Sequence, residues 1–276
     1  MHNTNYWIWG YTMKKVPEKL PYMPEETYCS LETAANYFGA ERVIYMNSSH
    51  SMDNYDDEQF KYIENIKEVI IAVTSDNRTI KEAAKRASEF SARHPNITGV
   101  VIDDFMDTPV GPASGFSVED VKEIYENVKS ANPDLKLWVV RYSRHPIEQI
   151  EPFLDYIDGI IWWVWVDTEH YWRYQYQLDL KKLGAYNKPI LQGVYLNNYG
   201  ESYNKPVELD MLKIIMPRVA NAMKNNQDFY GVADVQGCVL LQNGWMGVES
   251  HREQVQWLKN FVDFHRGTTT VRNEDN

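Results

Sequence analysis

Residues 68–105 read EVIIAVTSDNRTIKEAAKRASEFSARHPNITGVVIDDF, and this stretch decides the fold. Its two ends, Glu68–Ser75 and Thr98–Phe105, are short apolar runs rich in β-branched residues. Runs of that kind, without polar alternation, suit parallel strands covered on both faces. Between them, Thr79–Arg93 carries apolar residues at helical periodicity. Strand, helix and strand within some forty residues make a parallel pair joined by a crossover helix.

The same alternation runs outward in both directions. Further strands are expected at Asn5–Thr12 (NYWIWGYT), Glu41–Asn47 (ERVIYMN), Leu135–Ser143 (LKLWVVRYS), Gly159–Val166 (GIIWWVWV), Pro189–Asn197 (PILQGVYLN) and Gln236–Asn243 (QGCVLLQN). Helical periodicity fills Ser30–Phe38, Asp57–Ile66, Ser117–Ala131, Pro146–Tyr156, Tyr171–Leu183, Val207–Lys224 and His251–His265. Ser117, followed by Glu119 and Asp120, is a helix-start signal. Eight repeats in 276 residues give about 34 residues per unit, the size of a (β/α)8 barrel. A doubly wound open sheet is the competitor, but no glycine-rich phosphate turn supports it. The expected architecture is therefore α/β, a single-domain (β/α)8 TIM barrel over residues 1–266, with 267–276 a polar, disordered tail.

Composition narrows the partners. Lys+Arg 28 against Asp+Glu 39 leaves a net charge of −11, which argues against nucleic acid or an anionic membrane surface. No apolar run reaches the length of a membrane span. Asn5 opens a strand with no basic and apolar leader before it, which fits a cytoplasmic chain or one whose leader was removed, so the compartment stays open. Cys29 and Cys238 sit in no metal-spaced cluster and read as two buried thiols. The histidines form no HxH or HExxH pattern, and no GxSxG elbow, Walker loop or dinucleotide glycine fingerprint appears. No metal and no cofactor is expected. The excess is aromatic: 9 Trp, 19 Tyr and 9 Phe. A core can absorb such residues, as Trp138 and Trp257 are expected to do between strands and helices, but so can a surface that stacks flat ligands.

Loop lengths mark the working face. Helix-to-strand turns are short, such as Gly39-Ala40 and Pro133-Asp134, whereas Met13–Cys29, Ser48–Asp56, Met106–Phe116 and Asn198–Pro206 follow strands and are long. Strand-to-helix loops build the active face of such barrels. The strand ends there offer Trp9, Tyr11, Tyr45, Asn47, Arg141, Tyr142, Trp163, Trp165, Glu169, Gln192, Tyr195, Asn197, Gln242, Asn243 and Trp245 as substrate-binding candidates. Amides, carboxylates and hydroxyls bond sugar hydroxyls, while aromatic faces cover sugar C–H surfaces. This mixture favours an oligo- or polysaccharide over a phosphate or metal ligand.

The sharpest feature is Val100–Asp104, VVIDD, which sets two carboxylates at the top of strand 4. A carboxylate at the end of a buried strand is costly unless solvated, paired or used. Alternation along the strand admits only one of the pair to the barrel axis. If Gly99 and Val101 face inward, so does Asp103; the opposite phase promotes Asp104. The plainer reading is that one aspartate caps the following loop and the other pairs with a base such as Arg141.

Thr98–Met106, TGVVIDDFM, resembles the strand-4 segment of glycoside-hydrolase barrels, in particular a glycosyl-hydrolase-like family whose strand ends Gly–apolar–Asp–Asp–aromatic. More distantly it resembles the chitinase strand. On that pattern Asp103 matches the central aspartate, Val101 replaces an earlier one, and Phe105 stands where the acid glutamate belongs. The resemblance implies a glycosidase with a carboxylate pair: Asp103 and/or Asp104, with Asp167 after strand 6 as the partner. Asp167 and Glu169 also suit the start of the helix near His170, and Glu201 is a reserve acid. Many glycosidases end strand 7 with a glutamate; Tyr195 and Asn197 stand there instead. The competing expectation is a degenerate barrel that binds glycans without cleaving them.

Overall fold

The computed structural model describes residues 5–12, 29–46, 56–74, 79–106, 116–165, 168–198, 205–225, 227–241 and 245–267. The strands are β1 (Tyr6–Gly10), β2 (Arg42–Tyr45), β3 (Glu68–Ala72), β4 (Ile97–Ile102), β5 (Lys136–Tyr142), β6 (Gly159–Trp163), β7 (Ile190–Val194) and β8 (Val235–Leu241). Each pairs in parallel with the next and β8 pairs with β1, so the sheet closes into a (β/α)8 barrel.

The helices are α1 (Leu31–Phe38), α2 (Asp57–Phe60), α3 (Ile80–Ser91), α4 (Val118–Lys129), α5 (Tyr176–Gly184), α6 (Leu209–Ala222), α7 (Gln227–Tyr230) and α8 (Arg252–Arg266). Thr79 and Ser117 each start a helix with a reciprocal capping box, to Glu82 and Asp120. The expected helix at 146–156 is instead a 3₁₀ run, Ile147–Tyr156, with Pro152 inside it. Proline lacks the N–H of an α-helical bond and clashes with the preceding turn, so the tighter winding takes its place. The expected 57–66 helix stops at Phe60 and continues as turns. A π-helical turn, Tyr171–Gln175, leads into α5. Gly267 caps α8 with φ 72°, and the rest of the expected tail lies outside the described residues.

One contact tells inside from outside. Trp9 on β1 meets Trp163 on β6, centroids 5.7 Å apart, although β1 and β6 are not neighbours in the sheet. That contact crosses the interior. Register then places Ile44, Ala72, Val101, Trp138, Val140, Gly193 and Val239 on the same inner face. The outer face meets the helices: Trp162 stacks on Tyr176, rings 3° from parallel, and the Tyr6 hydroxyl bonds His265 Nδ1 at 2.7 Å.

Trp138 accordingly lies inside the barrel, not between strand and helix as its sequence context suggested. Its indole occupies the space above Gly99 and Gly159, where an added Cβ would come within 2.9 and 2.4 Å of it. Trp163 covers Gly193 in the same way, at 2.1 Å. The lumen is thus packed by large rings set over residues that have no side chain, which preserves close packing in a narrow cylinder.

Candidate active site

β4 brings Val101 inward, and two residues later Asp103 stands at the mouth of the barrel on the same side. The condition on phase set by Gly99 and Val101 is met. The Asp103 N–H donates to Thr74 Oγ1 at the end of β3, 3.1 Å away. Asp104 turns the chain with φ 50°, a left-handed conformation that aspartate tolerates better than most residues. Its N–H donates to Asp103 Oδ1 at 2.9 Å, and its own Oδ1 accepts a short hydrogen bond from the Tyr142 hydroxyl.

These two carboxyls differ in surroundings. Asp103 is half-buried and Asp104 exposed. Burial, and then the Asp104 charge, push Asp103 well above the usual carboxylate range, against the single N–H that favours its ionised form. Tyr142 is also raised, by burial first and then by Tyr195 and the two aspartates, so it keeps its proton and remains a donor. The arrangement is one carboxyl inclined to hold a proton beside a second that a phenol steadies.

An aromatic wall adjoins the pair. Trp163 stacks on Tyr195 with centroids 4.6 Å apart; Tyr195 meets Trp165 edge-on, and Trp165 meets Tyr142 edge-on. The Arg144 guanidinium lies 4.0 Å from the Trp165 ring centroid and 4.8 Å from that of Tyr142. From Trp9 through Trp163, Tyr195 and Trp165 to Tyr142, rings from β1, β5, β6 and β7 follow one another across the mouth. Trp165 and Tyr195 are partly exposed, whereas Trp9 and Trp163 are nearly closed off beneath them. Tyr11, partly exposed, continues the inner side of β1.

Several candidates stand elsewhere. Tyr45, Arg141 and Gln192 fall on the outer face by strand parity and are fully buried there. Gln192 donates to the carbonyls of Trp162 and Gly193. The ion pair suggested between Arg141 and Asp103 or Asp104 is absent; the guanidinium donates to main-chain carbonyls. Trp245 is wholly buried, stacked on His251, and offers no face to a ligand. Asn197 is buried in an antiparallel bridge to Pro206. Glu169 is exposed and pairs with Arg173 one helical turn on. Phe105 is buried against Phe116 and Phe153, which fills the position of the chitinase acid with packing. Asn47, Asp167, Glu201, Gln242 and Asn243 lie outside the described residues. Arg144 escaped the sequence candidates, whereas Thr74 was legible as a residue at the end of strand 3. The parity that takes Arg141 outward turns Tyr142 inward, but nothing in RYSRH indicates that Arg144 folds back over Trp165.

Among the described residues no cluster of three metal-ligating side chains forms, and no helix is long and apolar enough to cross a membrane.

The sequence matches no protein-family model and no curated protein sequence. Solved structures do resemble the fold. A Glycoside Hydrolase Family 5 mannosidase from Rhizomucor miehei is similar with a TM-score of 0.58 and 11% identity, over 86% of this chain and 87% of that one. A mutant tryptophan synthase α-subunit from Pyrococcus furiosus has a TM-score of 0.55 and 11% identity, over 96% and 99%. KGPDC from Streptococcus mutans has 0.51 and 12%, over 94% and 97%. At these identities the likeness establishes a TIM barrel. It does not choose among the chemistries those names represent.

Proposed function

We propose that the protein is a glycoside hydrolase acting on an oligo- or polysaccharide at the mouth of its barrel. The observation that carries this reading is Asp103: inward-facing, shifted toward its protonated form, and backed by Asp104 under the Tyr142 hydroxyl. Glycoside cleavage needs one carboxyl that protonates the leaving oxygen and another that acts as base or nucleophile. A carboxyl that its surroundings hold toward the protonated form suits the acid role. Asp103 is the acid in this proposal, and Asp104, next in the chain, is the candidate base or nucleophile. Asp167, four residues past the end of β6, is the second candidate partner on sequence grounds. The exposed parts of Trp165 and Tyr195 would cover the C–H face of a sugar, with Tyr142 and Tyr11 near its hydroxyls.

The test is cleavage of a glycan panel by the wild type and by Asp103→Asn, Asp104→Asn and Asp167→Asn. Loss of a general acid is expected to slow cleavage by about 10²-fold or more in Asp103→Asn. Cleavage unchanged in both Asp103→Asn and Asp104→Asn overturns the assignment. A second reading rests on Phe105, whose buried ring leaves the chitinase-like position without an acid: a barrel that binds glycans without hydrolysing them. Wild-type protein that binds a glycan of the panel and releases no product from any of them supports that reading instead.

A further inference from the structure

We propose that Arg141 is a positioning residue: from behind the sheet, its guanidinium clamps the turn after β5 and thereby holds the Tyr142 hydroxyl on Asp104. The importance of that bond for chemistry rests on the reading of Asp103 and Asp104 as the working carboxyls. The clamp itself rests on geometry.

Arg141 and Tyr142 are consecutive on β5 and so point to opposite faces. Arg141 is fully buried, yet no carboxylate takes its hydrogen bonds. Nη1 donates to the Tyr142 carbonyl at 3.2 Å; Nη2 donates to the His145 carbonyl at 2.8 Å and also to that of Pro146. Asp179, the acid whose charge acts most on it, is already occupied by Tyr171 and Gln175. Glu148 and Tyr186 also face this region and act on Arg141 only through charge.

A buried cation without an ion-pair partner is an expensive way to fill space, and an apolar side chain would do so at lower cost. What an apolar side chain cannot do is bridge three carbonyls of one turn at once. The Tyr142 and Pro146 carbonyls also accept main-chain N–H groups, from His145 at 3.1 Å and Gln149 at 3.2 Å, so the guanidinium adds a second donor to each of them and joins both to the His145 carbonyl. A planar guanidinium presents several donors in a fixed fork and ties residues 142, 145 and 146 into one curve. The other side of the turn is sewn to β6: the Ser143 N–H donates to the Trp163 carbonyl, and the Trp165 N–H donates to Ser143 Oγ, each at 2.9 Å. With its backbone fixed from both sides, the Tyr142 ring stands between Trp165 and Asp104.

The test reads the aspartates directly and uses no substrate. Protein carrying ¹³C-labelled aspartate is compared by NMR at one fixed pH as wild type, Tyr142→Phe and Arg141→Lys. Thr74, just past β3, bonds the Asp103 N–H, and Tyr142, at the end of β5, bonds Asp104, with Arg144 over the Tyr142 ring and Tyr195 near it. Tyr142→Phe removes the donor to Asp104, so the Asp104 carboxyl resonance should shift. Arg141→Lys keeps the charge, but a single nitrogen cannot reproduce the fork. Its Asp104 resonance should therefore shift in the same direction as that of Tyr142→Phe. A folded Arg141→Lys protein whose Asp104 resonance matches the wild type overturns the clamp, and so does a Tyr142→Phe protein that shows no shift. Should Arg141→Lys fail to fold, the wild type still decides. Guanidinium N–H groups held on the carbonyls are expected to give separate Arg141 Nη resonances, and resonances averaged by free rotation refute the clamp. Absence of cleavage in the glycan panel, with these resonances as expected, would defeat the glycosidase reading alone.

Discussion

Asp103 holds a carboxyl that folding makes harder to ionise, and this has a consequence for stability. In the unfolded chain it ionises near ~3.9; in the native state burial and Asp104 raise that value. Between the two, the native protein binds more protons than the unfolded one, so stability falls as pH rises. The contribution is complete below the unfolded value and lost above the folded one. Asp103→Asn removes the ionisation, so its Tm should decline less than that of the wild type between pH 5 and pH 8. A wild-type Tm that tracks the variant across this range contradicts the shift. Asp104 adds a conformational condition. At φ 50° a β-branched or large residue would be strained, whereas asparagine is not, which makes Asp104→Asn the cleaner probe of charge. At this scale the sequence was informative about Asp103, because parity from Gly99 and Val101 carries to it. It misled at Tyr45, Arg141 and Gln192, where being near a strand end said nothing of which side the residue faced.

Among the elements, glycine on one strand is matched to tryptophan on the next. Gly193→Ala would bring a methyl group to 2.1 Å from the Trp163 ring and force the indole off Tyr195. Overpacking of this kind costs about 1–3 kcal/mol, visible as a lower urea midpoint with an unchanged slope. A variant as stable as the wild type would mean that the ring relaxes freely. The strands and main helices were legible because apolar runs and helical periodicity alternate regularly, and Ser117 marks a helix start in the sequence itself. The inward direction of Trp138 was not legible. A strand apolar on both faces has no alternation that separates core from helix side, and only the register with Gly99 and Gly159 supplies it. The 3₁₀ run around Pro152 kept an apolar spacing that periodicity alone reads as α-helix.

For the whole molecule, closure depends on joining the first units to the last. β1 pairs with β8, the Tyr6 hydroxyl meets His265, and Arg266 Nη1 donates to the carbonyls of Phe38 and Gly39 at the end of α1. Arg266→Met keeps much of the aliphatic stem but leaves those carbonyls without their donor. It should cost about 1–3 kcal/mol in chemical unfolding, in a single transition if the barrel unfolds as one unit. A separate early transition would show that the α1 and α8 region opens on its own. Closure was legible from the count of eight repeats. The contrast between long strand-to-helix and short helix-to-strand connections was legible in the sequence, but the grouping of Tyr142 with Trp165, Tyr195 and Asp104 depends on tertiary contacts that no local pattern encodes.

The aromatic wall also makes the mouth its own optical reporter. Trp163 and Tyr195 are stacked closely enough for excitation to pass between them, and Trp165 beside them is partly open to solvent. A molecule settling there would change the emission and near-ultraviolet dichroism of a few identifiable chromophores. Occupancy can thus be followed without a label or a substrate assay, whatever the chemical nature of the ligand.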